Sequence, residues 1–419
     1  MKKLLALSLC LVMLLSIVNI AVAQNEKIII RVTHWGEIAA NDPEKIMIDK
    51  FNAENTKNIE VVYDVVPGDG YGDRLTTSFS SGEGYDIFAS GEGDFYKWVD
   101  KSLARPIDDL IAADKEFKNL MPDSIFNMGK INGQQYYIVR DYNPLCLWYN
   151  KDVFDANGVA YPTDTWTWDD LISAAQKLTV KNADGTYKSF GFNAQRWTYA
   201  ALTYLESNGA SILSPDGTTV EGYLNSPEVA AAMEQYVAMS VGDARISPSA
   251  SDLDTFGDST AMFINGNLAM TINGGWMMSG LKDAKSNYGT ELVPGNHAEY
   301  LCASAYAIGS RCKNPEAAWE VLKLLTGEEC TALKVQYSAV LPTINEQLET
   351  LKKNIGPENM GLIRSLDYAI QPVGLRSAVG NPAAGAFDRA LERMIFADGK
   401  TEDILKDAVA QVAEALAEK

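Results

Sequence analysis

The sequence predicts an α/β protein built as two lobes, and three observations carry that expectation. From residue 27 onward, β-branched runs alternate with stretches whose apolar residues recur at helical spacing. The same alternation resumes in the second half with different turn residues, and no low-complexity linker or internal repeat separates the halves. Length agrees: 419 residues, at roughly 100–200 per domain, make two or three domains. Two lobes without a linker imply lobes interwoven by several chain crossings.

The elements follow in order. Lys2 and Lys3, an apolar run from Leu4 to Ile20 and the small-x-small triplet Ala21-Val22-Ala23 form a secretory signal, cut after Ala23. A retained membrane anchor is the alternative, since the run approaches a bilayer's thickness, but an anchor has no use for the Ala-x-Ala ending. Cys10 follows Leu9 in mid-run and does not suit a lipid site, so the chain is expected to be exported to the periplasm or cell surface. Lys27 to Thr33 (KIIIRVT) reads as a strand buried on both faces. Asp42-Pro43 opens a helix as N-cap and first residue. Ile59 to Val65 is a strand, Arg74 to Ser80 a helix and Tyr85 to Ala89 a strand. This order implies parallel βαβ units, whose ligands bind beyond the carboxyl ends of the strands. In the second half, Thr167 to Asp170 has the form of a capping box ahead of a helix to Leu178. Tyr187 to Asn193 reads as a strand, Tyr199 to Asn208 and Ser226 to Met239 as helices, Ala269 to Ile272 as a strand, and Thr401 to Lys419 as a terminal helix.

Composition limits the function. The chain carries a net charge of −19, and removing a leader with two lysines and no acid makes it more negative. Such a surface argues against nucleic acid and anionic lipid as partners. With 47% apolar and 22% charged residues the chain is globular. Cys302 and Cys312 bracket a predicted strand and Cys312 and Cys330 a predicted helix, which hold each pair beyond bridging distance. Buried, unpaired thiols are expected at these positions and at Cys146, a bridge through Cys146 being the alternative. No Cys/His cluster implies a metal, and no cofactor motif is present.

Several segments, in this order, resemble family 1 extracellular solute-binding proteins, the group that includes maltose-binding protein. Gly129 to Tyr137 (GKINGQQYY) followed by Leu147 to Phe154 (LWYNKDVF) resembles the family's aromatic strand and YNK core. Thr167 to Leu171 (TWDDL), Phe263 to Trp276 (FINGNLAMTINGGW), Ala307 to Ser310 (AIGS), Asn314 to Trp319 (NPEAAW) and Leu341 to Thr343 (LPT) resemble its later segments. The resemblance spans roughly residues 27–395. It implies a periplasmic binding protein-like fold of type II, with a ligand cleft between two hinged lobes and a role as the binding component of an ABC importer. It places crossings near Tyr137 to Asn143, Pro294 to Leu301 and Tyr337 to Pro342. The first lobe becomes 24–138 plus 298–336 and the second 139–297 plus 337–419. Membrane subunits of the transporter are the implied partners, and a monomer is expected.

A sugar needs flat aromatic surfaces for its C–H faces and charged or amide groups for its hydroxyls. Loops at strand ends offer both: Trp35 beside His34 and Glu37, Glu92 and Asp94 after YDIFA, and Asp141 and Tyr142 at the first crossing. Gln195, Arg196 and Trp197 follow FGFN, and Trp276 ends the NGGW turn. By family position, Arg376 is expected to reach the cleft from the second lobe. Each has a plainer reading: Trp35 and Trp197 as packing, Glu92 and Asp94 as solvated loop acids, Asp141 as a turn cap, Arg196 in a surface ion pair. Trp276 is the foremost candidate for sugar stacking, whereas Trp98, Trp148, Trp168 and Trp319 sit on periodic apolar faces or helix starts and read as core. Two alternatives stay open. An acidic cleft around Glu92, Asp94 and Asp141 also suits a polyamine, with a peptide as another non-sugar ligand. A glycoside hydrolase shares the aromatic and carboxylate chemistry, but Glu92 and Asp94 lie on one loop, whereas hydrolases set their carboxylates across the scissile bond. No GxSxG or HExxH motif is present.

Overall fold

A computed structural model describes residues 27–417 apart from 37, 39–41, 69, 119 and 338–340. The expected leader, Glu37 and the middle of the third expected crossing lie outside the described residues.

Strand β1 (Ile28–Trp35) runs parallel to β2 (Ile59–Val66), in register from Ile28 opposite Ile59 to Trp35 opposite Val66. Helix α1 (Pro43–Glu54) connects them, capped by Asp42, whose carboxylate accepts from the Lys45 amide at 2.9 Å. Helix α2 (Tyr71–Ser80) starts a turn earlier than expected and leads to β3 (Ile87–Gly91), parallel to β1 on its other side. Ile30 and Val32, with Ile59 and Val61, are buried, but Ile29 and Val62 are exposed, so the expected burial of β1 on both faces holds only toward its carboxyl end, where Thr33 is buried.

The chain then leaves this sheet through β4 (Tyr137–Pro144) and enters a second sheet as β5 (Cys146–Asn150). Helix α3 (Trp168–Leu178) has the expected reciprocal cap between Thr167 and Asp170, and α4 (Thr198–Ser207) and α5 (Pro227–Ala238) follow. Strand β6 (Met270–Asn273), helix α6 (Met277–Asp283) and strand β7 (Tyr288–Glu291) complete the second sheet in the order β6-β5-β7. Its centre is antiparallel, unlike the parallel units of the first half. The helical link makes β6 and β7 run the same way, but β5 inserts between them in the opposite direction. The expected strand from Tyr187 to Asn193 shrinks to Tyr187–Ser189. At Gly191 a Cβ would lie 2.0 Å from the Ala175 carbonyl oxygen, so α3 presses directly on this backbone and interrupts the ladder.

Strand β8 (Glu299–Ile308) returns to the first sheet, antiparallel to β3 and β4. Helices α7 (Pro315–Thr326) and α8 (Glu328–Gln336) follow, and Leu341 bridges to Tyr142 of β4. The chain ends through β9 (Ala369–Ile370), α9 (Gly380–Ile395) and α10 (Thr401–Ala417). The first sheet reads β9-β8-β3-β1-β2, with β4 also pairing β8. Two cores lie apart, one around Ile30, Val32, Ile87 and Trp319, the other around Leu171, Phe192, Met233 and Phe387. A third runs from Phe88 and Tyr137 through Tyr142 to Trp148 and Phe263, so apolar packing continues along the crossing strands. Trp98, Trp148, Trp168 and Trp319 are buried as expected. The thiols of Cys146, Cys302, Cys312 and Cys330 are unpaired, Cys312 alone being half-exposed. No helix among the described residues is long and apolar enough to cross a membrane.

Candidate functional site

The carboxyl ends of β1 and β3 and the two crossing strands converge on one region. At the end of β1, Trp35 is half-buried, stacked on His34 at 4.8 Å and edge-on to Tyr71 at 5.6 Å. After β3 the chain makes a single tight turn, Glu92–Asp94. Glu92 folds back under it: its carboxylate accepts from the Ala303 amide of β8 at 2.9 Å, and the residue is 7% exposed. Burial pushes its carboxyl up to about 7, with the nearby Asp141 charge adding to the rise. Asp94 points outward and pairs with Lys97 at 3.0 Å.

On β4, Arg140 and Asp141 sit at a bulge: Asp141 pairs with Ser304 and Val139 with Ala305, so Arg140 is the extra residue. The bulge turns Arg140 towards buried Glu44, with Nε 2.8 Å from Glu44 and 3.1 Å from the Asp141 carboxylate. Lys334 of α8 also reaches Glu44, at 3.0 Å, and donates to the Arg140 carbonyl at 3.2 Å. Tyr63 and Tyr306 donate to Glu44 at 2.9 and 2.7 Å. Although burial opposes it, the two cations hold the Glu44 carboxyl below the usual carboxylate range. Burial, reinforced by Arg140, pushes the His34 imidazole down to about 3, so it is neutral near pH 7. The cluster balances two cations with two carboxylates beneath the crossing.

A row of aromatics gathers beside it. Trp276 is 40% exposed at the N-terminus of α6, and Trp197 meets it edge-on at 6.0 Å. Tyr199 continues the row, 5.7 Å from Trp197 and 5.7 Å from Tyr300 of β8. The Glu92–Asp94 turn meets this row: a Cβ on Gly93 would stand 2.7 Å from the Tyr199 hydroxyl. The structure thus brings Trp197 and Trp276 together in one wall, and Glu92 and Asp141 together at the floor. It turns three polar candidates elsewhere. The Arg196 guanidinium lies 5.4 Å over the Phe396 ring, beside α9. Arg376, expected to reach the cleft, is clasped by Glu206 at 2.7 and 3.0 Å, because burial makes a bidentate carboxylate its best partner. Gln195 donates to Thr271 and to the Ile272 carbonyl, which ties its loop to β6. Sequence reasoning missed Arg140, Tyr199, Tyr300 and Ser304; only Tyr199 carried a signal, as a second aromatic two residues after Trp197. The surface groove between α5 and α10, lined by Ala230, Leu405 and Val409, contains none of these residues.

Residues 39–330 match the family model for bacterial extracellular solute-binding proteins. The chain belongs to that family. Among relatives of this solute-binding protein, a putative binding protein of Brucella abortus is 25% identical over 383 residues, 88% of each chain. A maltotriose-binding protein of Pyrococcus abyssi is 22% identical over 367 residues, 83% of this chain and 74% of that one. An ABC substrate-binding protein of Listeria monocytogenes, solved with cycloalternan, superposes with a TM-score of 0.82 at 24% identity, covering 94% of this chain and all of that one. The likeness gives the fold as the expected two-lobed, periplasmic binding protein-like one of type II.

Proposed function

We propose that this solute-binding protein captures an oligosaccharide in the cleft between its lobes and presents it to the membrane subunits of an ABC importer. One observation carries the reading: a row of aromatics, exposed at Trp276 and half-buried at Trp197 and Tyr199, adjoins carboxylates whose charges are already compensated. Asp141 is paired with Arg140 and Asp94 with Lys97, while burial lifts Glu92 towards neutrality. A polyamine needs uncompensated carboxylates; a neutral polyhydroxylated solute needs stacking faces and hydrogen-bonding groups, as this cleft offers. The maltotriose and cycloalternan named for relatives support the same class.

Trp35, Trp197 and Trp276 would pack on sugar faces, and Glu92 and Asp141 would bind hydroxyls. Asp94, Arg196 and Arg376 would reach solute only after exchanging their present neighbours. The lobes are 24–138 plus 298–336 and 139–297 plus 337–419, a division supported by the chain passing to the second sheet after β4 and returning to the first at β8. Solute bound to one lobe and touched by the other shifts the balance from open to closed. The chain acts as a monomer, exported with its signal cut after Ala23. An affinity near micromolar, about −8 kcal/mol, suits capture followed by release.

Calorimetric titration of the protein lacking residues 1–23 against maltotriose, mannotriose, cycloalternan, spermidine and a short peptide tests the reading. Saturable binding of a saccharide is expected, and Trp276→Ala should weaken it at least about tenfold, on the order of 1.4 kcal/mol, with little change in Tm. Binding of spermidine alone overturns the sugar assignment. A Trp276→Ala variant with a large loss of Tm and unchanged affinity makes Trp276 a core residue instead.

A further inference from the structure

Gly91, at the end of β3, lies opposite Ser304 of β8, and Ser304 lies opposite Asp141 of β4. Directly opposed residues of antiparallel strands project to the same face, so positions 91, 304 and 141 form a row across three strands at the cleft floor. The first place in this row is empty: a Cβ built on Gly91 meets no heavy atom within 4 Å. Neighbouring glycines differ. A Cβ on Gly93 would stand 2.7 Å from the Tyr199 hydroxyl, and one on Gly275 would stand 2.4 Å from Asn143 Oδ1. Nor does the backbone require glycine at 91, where φ is −77° and ψ 153°, an extended conformation open to any residue. Packing and conformation both leave this glycine unexplained.

The middle of the row is also incomplete. Ser304 is 8% exposed, and its hydroxyl has no hydrogen-bond partner among the described residues. An unpaired buried hydroxyl is costly, and a partner brought by a ligand removes that cost. At the far end, Arg140 fixes the Asp141 carboxylate through the bulge. Bulges of this kind recur beside binding sites, where they re-aim side chains.

We propose that Gly91, Ser304 and Asp141 form a subsite that receives a hydroxyl-bearing arm of the bound saccharide. Gly91 determines specificity, because any side chain there occupies the space the arm needs. Ser304 and Asp141 give the hydroxyl a donor and an acceptor. The inference rests on the saccharide reading above and adds the residues that select among saccharides.

Gly91→Ala discriminates, because its methyl group meets nothing in the solute-free chain. Wild type, Gly91→Ala and Ser304→Ala are titrated with maltotriose, or with whichever saccharide of the panel binds wild type most tightly, and each is melted in parallel. Gly91→Ala should keep or slightly raise its Tm, as compatible Gly-to-Ala changes do, and lose about tenfold or more in affinity. Ser304→Ala should keep its Tm and bind several-fold more weakly. Unchanged affinity in Gly91→Ala overturns the subsite and leaves the saccharide reading standing. A marked fall in its Tm likewise overturns it, by making the glycine structural. A wild type that binds no saccharide removes both.

Discussion

Two buried carboxyls at the crossing, Glu44 and Glu92, respond to pH in opposite ways because their neighbours differ. Glu44 has two cations against it, whereas Glu92 has only backbone amides and the Cys302 thiol against it, and a nearby like charge. Below about pH 4.5 Glu92 is protonated in both the folded and unfolded chain. Between about 4.5 and 7 the unfolded chain releases that proton while the folded one keeps it, so stability falls as pH rises, reaching a loss of about 3 kcal/mol above pH 7. Glu92→Gln should therefore be more stable than wild type at pH 8 and nearly equal at pH 4.5, as read by urea unfolding at both. Parallel curves at the two pH values would show Glu92 to be ionised and solvated in the folded chain. Much at this scale is legible from sequence. The four tryptophans on periodic faces are buried, and Trp276, after a Gly-Gly turn, is exposed. The arginines are not legible, since a guanidinium chooses its partner through the fold: Arg376 meets Glu206, 170 residues away, and Arg196 meets the Phe396 ring.

Individual elements follow local chemistry where caps and periodicity decide, as at Asp42, Thr167 and Ser226, each of which caps the helix expected of it. The second sheet depends instead on which strand inserts between two others, and alternation along the chain does not encode that. The cluster linking α1, β4 and α8 is equally hidden, because Glu44, Arg140 and Lys334 are far apart in sequence. Its energetics are testable. Lys334→Met leaves Glu44 and Asp141 sharing one strong cation in a buried site, and breaking a buried pair from one side costs about 3–5 kcal/mol. The double variant Glu44→Gln with Lys334→Met should recover much of that loss in urea unfolding. Full additivity of the two single losses would mean the groups do not interact.

For the whole molecule, the expectation is movement. The Gly93 turn and Tyr199 meet across the proposed cleft, a contact that closure over solute keeps and opening breaks, so the saccharide-bound form should be more compact than the free one. Small-angle scattering should give a smaller radius of gyration at saturating saccharide than without it. An unchanged or larger value would remove hinge closure. The shape of that motion follows from β4 and β8. These strands do not cross as separate threads: they are hydrogen-bonded to one another from Tyr137 opposite Ala307 to Pro144 opposite Leu301, and Leu341 joins at Tyr142. The proposed hinge is then a leaf spring and not a pin. It bends by twisting along a ribbon, stores a restoring torque as it does so, and has no single pair of dihedrals about which the lobes swing. The stiffness of that ribbon, set by its ladder and its one bulge at Arg140, then sets how much binding free energy goes into bending and how much remains to hold the solute.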